Sequence, residues 1–251
     1  METDYIATPK ETVAELLKSA GRVEPNDAAP VRREFVQLGT QASPEPGVLA
    51  ALVRNGDQRG LDLYLLLKAV ASAPPFNSRR GAEVWARALC HASPSASAQT
   101  VSKIWRRLES HGLVERGRYG RLANVTLLRE DGSRRKYTHP AGKDEAYLQV
   151  PAAYWLSEQH WCSTLSLPAK AMMLIGLSLT PGFVLPVERV PEWYGISADS
   201  AQRGIAELER RKVLIRHRTR KKAPLAPQGF TTDSHYTLVG DLTKPKSSAN
   251  G

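Results

Sequence analysis

The chain has 251 residues, with 35 Lys and Arg against 25 Asp and Glu, a net charge of +10 and a pI near 9.7. This length suits one or two domains that bury a core without disulfides or metal, and the charge favours anionic partners, nucleic acid first. Cys90 and Cys162 stand alone, with no Cys or His at ligand spacing, which excludes a zinc ribbon and a disulfide framework. The sequence lacks a signal peptide and an 18-residue apolar run, so we expect a cytoplasmic protein with no membrane contact.

The N-terminal residues differ in composition from the rest of the chain. Residues 1–50 carry eight acids and five bases, a net charge of −3, so residues 51–251 carry +13. Pro9, Pro25, Pro30, Pro44 and Pro46 are spread among small residues. We predict a flexible arm over residues 1–56, with a short helix near 10–20, and a disordered tail over 243–251.

Two segments 100 residues apart repeat one pattern. In the first, helical periodicity predicts helices over 61–70 and 81–92 and a third from the N-cap Ser97 to the stop at Gly112. Asp131-Gly132 between the stretches 122–128 and 133–138 then predicts a β-hairpin.

The second segment repeats this order. Helices are predicted over 168–179, 187–194 and 198–211, and strands over 213–218 and 234–239, with a basic loop between the strands. A shift of 100 residues places Leu108 on Leu208, Glu109 on Glu209 and Leu113 on Val213. Three helices followed by a hairpin is the winged helix-turn-helix arrangement.

Residues 106–116 and 205–215 resemble the recognition helix and wing of bacterial winged helix-turn-helix proteins, and the second departs by carrying Lys212 where a Gly usually ends the helix. The pair of copies, with the lead-in at 147–155, resembles the tandem initiators of plasmid and mobile-element replication and winged-helix transcriptional regulators. The resemblance implies a mainly α protein with small β-hairpins (α+β) and two tandem winged helix-turn-helix domains. These span 57–140 and 151–242, joined by a linker over 141–150.

Such domains place the third helix in the major groove of DNA, where Gln can read adenine and Lys or Arg can read guanine. We therefore predict sequence-specific binding of double-stranded DNA by a nucleoid-associated regulator or replication initiator. The predicted base-reading residues face outward on the two third helices and are Gln99, Thr100, Ser102, Lys103, Arg106, Arg107, Ser200, Gln202 and Arg203.

Phosphate contacts are predicted for the wings, because bases outnumber acids by ten to four over 101–136 and by eight to two over 205–222. The predicted phosphate ligands are Arg116, Arg118, Arg121, Arg134, Arg135, Arg216, Arg218, Arg220, Lys221 and Lys222. Binding through them would weaken steeply with salt.

Two other interpretations compete with DNA binding. The basic runs can be solvated faces, and a winged helix can be a protein-protein interaction module without direct DNA contact. Host replication or transcription factors and a homodimer are candidate partners, with Trp161 and Cys162 as candidate interface residues. The five Trp side chains are expected in the core rather than stacked on bases.

The sequence offers no catalytic apparatus. Its six His are scattered, and it has no nucleophile-elbow, phosphate-loop or dinucleotide-binding motif. The acidic pairs Glu130-Asp131 and Asp144-Glu145 are interpreted as turn residues. We expect no enzyme activity, no cofactor and no metal.

Overall fold

The computed structural model describes residues 7–25, 27–40, 42–89, 96–140, 145–225 and 227–243. It is an α+β protein, with 44% helix, 23% strand and small antiparallel sheets, so helices dominate as predicted. Cys90, Asp144 and the tail beyond Thr243 lie outside the described residues. Within the described part of the chain, no helix is long and apolar enough to cross a membrane.

The N-terminal segment, residues 7–56, departs from the expected flexible arm. It forms α1 (Pro9–Ser19), β1 (Ala28–Arg32), β2 (Gln37–Gly39), β3 (Pro44–Pro46) and α2 (Val48–Arg54). A capping box between Thr8 and Glu11 starts α1, which buries Val13, Leu16 and Leu17. β1 pairs antiparallel with β7 (Tyr147–Pro151), and β2 with β3. Because the partner of β1 lies in the predicted linker, no local sequence signal reveals this strand.

The first unit, residues 58–127, follows the predicted order of three helices and adds a short strand. Its elements are α3 (Gln58–Val70), β4 (Asn77–Ser78), α4 (Ala82–Ala88), α5 (Ala98–Ser110), β5 (Val114–Tyr119) and β6 (Leu122–Leu127). Ser97 caps α5 through the amide of Thr100, and Gly112 ends it at φ +72°. The sheet order is β4-β6-β5, so β6 is central.

The hairpin of this unit is not where the sequence predicted it. β5 and β6 pair from Val114–Leu127 to Tyr119–Leu122 across the turn Gly120-Arg121, and this pairing buries Val114, Val125 and Leu127. β6 is paired on both edges, whereas the polar residues 133–138 contribute the isolated bridge Leu128–Lys136. The hairpin predicted at Asp131-Gly132 is therefore wrong, because burial of apolar side chains by β5 outweighs the local turn signal.

The second unit, residues 167–238, repeats this architecture. It contains α8 (Leu167–Ser178), β8 (Phe183–Val184), the 3-10 turn Val187–Arg189, α9 (Val190–Tyr194), α10 (Ala198–Arg210), β9 (Leu214–Lys222) and β10 (Phe230–Leu238). The sheet order is β8-β10-β9, the same as in the first unit. Lys212 adopts φ +60°, so it takes the left-handed conformation of Gly112 without being Gly. The strands are longer than predicted and include most of the expected basic loop.

One continuous core joins the two units and the N-terminal segment. Lys170 of α8 donates a buried hydrogen bond to Asp62 of α3. A Cβ added at Gly195, after α9, would lie 2.9 Å from the Cβ atoms of Ala50 and Pro46. Residues 147–150 of the predicted linker belong to β7, and 141–144 lie outside the described residues. The junction is thus packed rather than loose.

The aromatic residues behave largely as expected. Trp85 and Trp105 pack edge to face with centroids 5.5 Å apart, and Trp155 is buried, while Trp193 packs partly buried against the core. Trp161 begins α7 (Trp161–Thr164), which follows α6 (Ala153–Leu156); its side chain is buried and its indole donates to Asp241. Cys162 is also buried. The proposed role of Trp161 and Cys162 at a dimer surface is therefore wrong for this fold, because both side chains face the protein's own core.

Candidate nucleic-acid interface

The outward face of α5 carries polar side chains opposite its buried stripe. Val101, Ile104, Trp105 and Leu108 are buried, whereas Gln99, Ser102, Lys103 and Arg106 are exposed at three- and four-residue steps. Lys103 and Arg106 make no ion pair within the described ranges. Two cations, an amide and a hydroxyl thus share one solvent-facing surface.

The outward face of α10 is similar but carries an acid. Gln202 and Arg203 are exposed. The Arg203 guanidinium lies 3.3 Å from a carboxylate oxygen of Asp199 and donates to the Ser200 hydroxyl at 3.2 Å. These contacts hold Arg203 against the first turn of its own helix.

Thr100 and Ser200 belong to the helix starts rather than to the outward faces. The backbone amide of Thr100 donates to the N-cap hydroxyl of Ser97, and the backbone amide of Ser200 donates to the N-cap hydroxyl of Ser197, each at 3.2 Å. Their own hydroxyls also contact the N-cap hydroxyls. Their predicted base-reading role is not supported by this placement, since both are half-buried within the cap.

Arg107 holds the first unit together. Its Nε donates to Oδ2 of Asp57 at 2.8 Å and its Nη2 to Oδ1 at 2.7 Å, and Asp57 also accepts from the Gly60 amide at the start of α3. Burial raises the pKa of the Asp57 carboxyl, but the hydrogen bonds and charge of Arg107 outweigh it, so this pKa lies below its usual value. The base-reading role predicted for Arg107 is therefore corrected: the side chain ties α5 to α3.

The second unit also ties its third helix to the start of its first helix, but here the third helix supplies an acid instead of an arginine. Glu207, at the position of Arg107, accepts hydrogen bonds from the amide and hydroxyl of Ser166 at the start of α8. Arg211 donates to Glu207 at 3.2 Å. Burial raises the pKa of Glu207, yet the Ser166 hydrogen bonds and Arg211 bring it below its usual value. Each third helix is thus anchored to the N-cap region of its first helix.

The base of each hairpin is anchored to the third helix by a Glu–Arg pair. The Nε of Arg116 lies 2.6 Å from Oε2 of Glu109, and the Nη2 of Arg216 lies 2.7 Å from Oε2 of Glu209. Burial raises the pKa of Glu109, but hydrogen bonds from Arg116 lower it below its usual value. Arg116 and Arg216 therefore fix the hairpins, and their predicted phosphate contacts would compete with these pairs.

The tip of the first hairpin, residues 118–122, projects into solvent. Arg118 and Arg121 are exposed and make no ion pair among the residues that the structure describes. Tyr119 is 60% exposed and Leu122 45% exposed, and the guanidinium of Arg79 lies 4.0 Å from the centre of the Tyr119 ring. No pattern in the sequence pointed to Arg79, Tyr119 or Leu122.

Arg134 and Arg135 lie outside this hairpin. They follow the turn at Asp131-Gly132, where Arg135 pairs with Asp131. That turn packs on the end of α5, because a Cβ at Gly112 would lie 2.4 Å from the Gly132 carbonyl oxygen. Their assignment to the wing is wrong because the hairpin turns twelve residues earlier, at Gly120 rather than Gly132.

The second hairpin presents a longer basic surface. Arg218, Arg220 and Lys222 are exposed on alternate positions of β9, so they share one face with a spacing of roughly 7 Å. Lys221, on the other face, pairs with Asp233. Arg220 also lies over the Phe230 ring, 4.7 Å from its centre.

A buried ion cluster forms around Glu130, and the sequence did not predict it. Glu130 is fully buried and accepts from Arg32 Nη1 at 2.9 Å and from Lys68 Nζ at 2.7 Å. Glu145 accepts from Arg32 at 2.9 Å. Glu130 lies in a turn as predicted, but its side chain is buried and joins β1 to the first unit. Its partners are 62 and 98 residues away, so nothing local marks it.

Across the described ranges, no group of three or more His, Cys, Asp or Glu is placed to hold a metal ion. No protein-family model matches the chain, and comparisons with curated proteins and with solved structures find no match.

Proposed function

We propose that this protein binds double-stranded DNA sequence-specifically through α5 and α10, with the two hairpins contacting phosphates, as a pair of tandem winged helix-turn-helix domains. The order helix, strand, helix, helix, strand, strand, with the last strand central, occurs twice and supports this assignment. We propose a binding role rather than a catalytic one for these surfaces.

The observation that carries the proposal is the outward face of α5. Gln99, Ser102, Lys103 and Arg106 are exposed together, and a basic hairpin follows the same helix. An α-helix fits the major groove, where these side chains have the hydrogen-bonding groups to distinguish base pairs. A solvated charged surface does not require this alignment of amide, hydroxyl and cations on one helix face.

The two units differ in the charge that they offer to DNA. On α5 the exposed Lys103 and Arg106 have no ion-pair partner among the described residues, because Glu109 pairs with Arg116, whereas on α10 Arg203 lies beside Asp199. We propose that the first unit supplies more of the attraction to DNA and that the second contributes phosphate contacts mainly through β9.

The test is a fluorescence-anisotropy titration of the full chain with duplex DNA, using random sequence and the DNA upstream of its own gene, at 50 and 200 mM salt. We expect tighter binding to the upstream DNA and a steep loss with salt. Lys103→Ala and Arg106→Ala should each weaken specific binding, while Lys10→Ala, which removes an exposed charge from α1, should leave it almost unchanged.

Failure of both duplexes to bind at 50 mM salt would overturn the proposal and favour a protein-interaction module. If DNA binds, the location of the site separates the two roles. Direct repeats beside the gene indicate replication initiation, and an operator overlapping a promoter indicates transcriptional regulation.

A further inference from the structure

The tip of the first hairpin combines two large apolar side chains with a tight turn. Tyr119 and Leu122 are direct cross-strand partners on either side of Gly120-Arg121, so both side chains lie on the same face of the hairpin. Further along β5 and β6, Val114, Val125 and Leu127 are buried. The apolar pair at the tip lies on the opposite face of the hairpin from these buried residues and is exposed to solvent.

Three arginines lie next to this apolar pair, in the sequence or in space. Arg79, which follows β4, places its guanidinium 4.0 Å from the centre of the Tyr119 ring and restrains that ring from one side. Arg118 alternates to the opposite face of β5, and Arg121 occupies the turn. Arg79, Arg118 and Arg121 are exposed.

We propose that this tip is a wedge for the minor groove of duplex DNA, in which Leu122 and Tyr119 press against a base step while the arginines contact the flanking phosphates. The inference rests on the proposed function and adds to it a site and a mechanism. Apolar wedges inserted from the minor groove partly unstack a base step and kink the duplex. The three neighbouring cations make an anionic groove a better match for this apolar pair than a neutral protein surface.

The second hairpin has no exposed apolar cross-strand pair among its described residues, although Leu225 in its loop is fully exposed. Its last cross-strand pair is Lys222–Phe230, and Phe230 is half-buried beneath Arg220. We therefore expect the DNA to bend where the first unit contacts it. Pyrimidine–purine steps kink most easily, so the wedge adds a preference for such a step at a position where no side chain reads base edges.

The experiment uses the full chain and duplexes carrying the sequence that it selects from a random pool. One set has 2-aminopurine at successive positions to report unstacking, and another has donor and acceptor dyes at its ends to report bending. We expect the native chain to raise 2-aminopurine fluorescence several-fold at one step and to shorten the end-to-end distance.

Leu122→Ser and Tyr119→Ser should each remove most of the unstacking and bending at saturating protein, while Leu122→Met should preserve them. Arg118→Ala is the matched control: it should weaken binding and the salt dependence, but retain unstacking once the DNA is saturated. Thermal unfolding should be nearly unchanged for all four variants, because these side chains are exposed.

Binding without a fluorescence change at any step, or unstacking that survives Leu122→Ser, would overturn the wedge while leaving DNA binding intact. Absence of binding to every duplex at 50 mM salt would overturn the proposed function and the wedge together. Loss of the folded state in Leu122→Ser, measured by circular dichroism, would show that Leu122 is a structural residue and would also contradict the wedge.

Discussion

Glu109 at the end of α5 holds Arg116 at the start of the first hairpin, with Oε2 and Nε 2.6 Å apart. One hundred residues later, Glu209 holds Arg216 in the same way. The repeat therefore extends from the hydrophobic pattern to a specific ion pair. In each unit this pair fixes the base of the hairpin to the third helix. Cations nearer the tip are not held by it and are the ones that we propose to contact DNA phosphates.

The ion pair with Glu109 gives Arg116 a different role from Arg118 on the same strand, β5. Arg118→Ala should weaken DNA binding about equally for all sequences and reduce the slope of log K against log salt by about 1, because one phosphate contact is lost. Arg116→Ala should change that slope less, because Arg116 already pairs with Glu109. Titrations at four salt concentrations provide the measurement, and equal slope changes for the two variants would contradict the division.

Arg106 and Arg107 are adjacent in sequence and differ in role. Arg107→Ala leaves the buried Asp57 carboxylate without its guanidinium partner and should lower the free energy of unfolding by about 1–2 kcal/mol, allowing for the half-exposed side chain. Arg106→Ala should cost less than about 0.5 kcal/mol in stability. In DNA binding the order should reverse, with Arg106→Ala losing about 1–3 kcal/mol. Urea denaturation and anisotropy titrations measure the two effects. The prediction is wrong if one variant loses more than the other in both stability and DNA binding.

Gly204 lies where α10 crosses the start of α8. A Cβ there would meet the Pro168 carbonyl oxygen at 2.4 Å and Cγ of Met172 at 2.7 Å, so Gly204→Ala should destabilise the fold by about 1–3 kcal/mol despite the better helix propensity of Ala. Ala206→Gly, at an exposed position of the same helix, isolates the propensity effect of about 1 kcal/mol. A higher melting temperature for Gly204→Ala would show that the two helices are not in this contact.

Lys68 should give stability an unusual alkaline dependence. Its amino group faces Glu130, Arg32 and the Tyr137 ring, and burial lowers its pKa from 10.5 to about 8. Above about pH 8 the unfolded chain retains a proton on Lys68 that the folded chain releases. This group therefore adds stability as pH rises from 8 towards 10.5, by about 3–4 kcal/mol at most.

Urea denaturation between pH 7 and 9.5 measures this term. The native chain should gain stability with pH relative to Lys68→Met, and Lys18→Met, an exposed change on α1, should follow the native profile. Parallel profiles for the native chain and Lys68→Met would contradict the lowered pKa.

The packed junction between the units predicts strict spacing of the DNA site. Asp62 and Lys170 form a buried pair across this junction, and one core spans both units. Insertion of five base pairs between the two half-sites rotates one by half a turn, and should cost ~100-fold or more in affinity as one contact is lost. Unchanged affinity in an anisotropy titration would instead indicate units that move independently.

Local patterns predicted most of the helices. The apolar steps in α5 and α10, with Ser97 at the start and Gly112 at the end of α5, are encoded within a few residues and appear nearly as expected. The hairpin after α5 was misplaced because Asp131-Gly132 is a strong local turn signal. The pairing of β6 with both β4 and β5 depends on residues that are distant from Asp131-Gly132 in the sequence.

The candidate interface divides in the same way. Exposure of Gln99, Ser102, Lys103 and Arg106 follows from helix geometry alone. The engagement of Arg107 depends on Asp57, fifty residues earlier, and that of Arg116 on a glutamate in the preceding helix. A single sequence contains the charges but does not specify which of them meet.

The pairing of β1 with β7 also sets an order of events during synthesis. Arg32 and Tyr147 are register partners more than 110 residues apart, so β1 leaves the ribosome long before its partner exists. At typical translation rates the interval is roughly 6–20 s. Throughout that time the nascent N-terminal segment has an unpaired strand and an uncovered apolar surface. The edge of β1 can therefore be paired only after residue 147 has been synthesised, and a ribosome that stalls earlier leaves that edge unpaired.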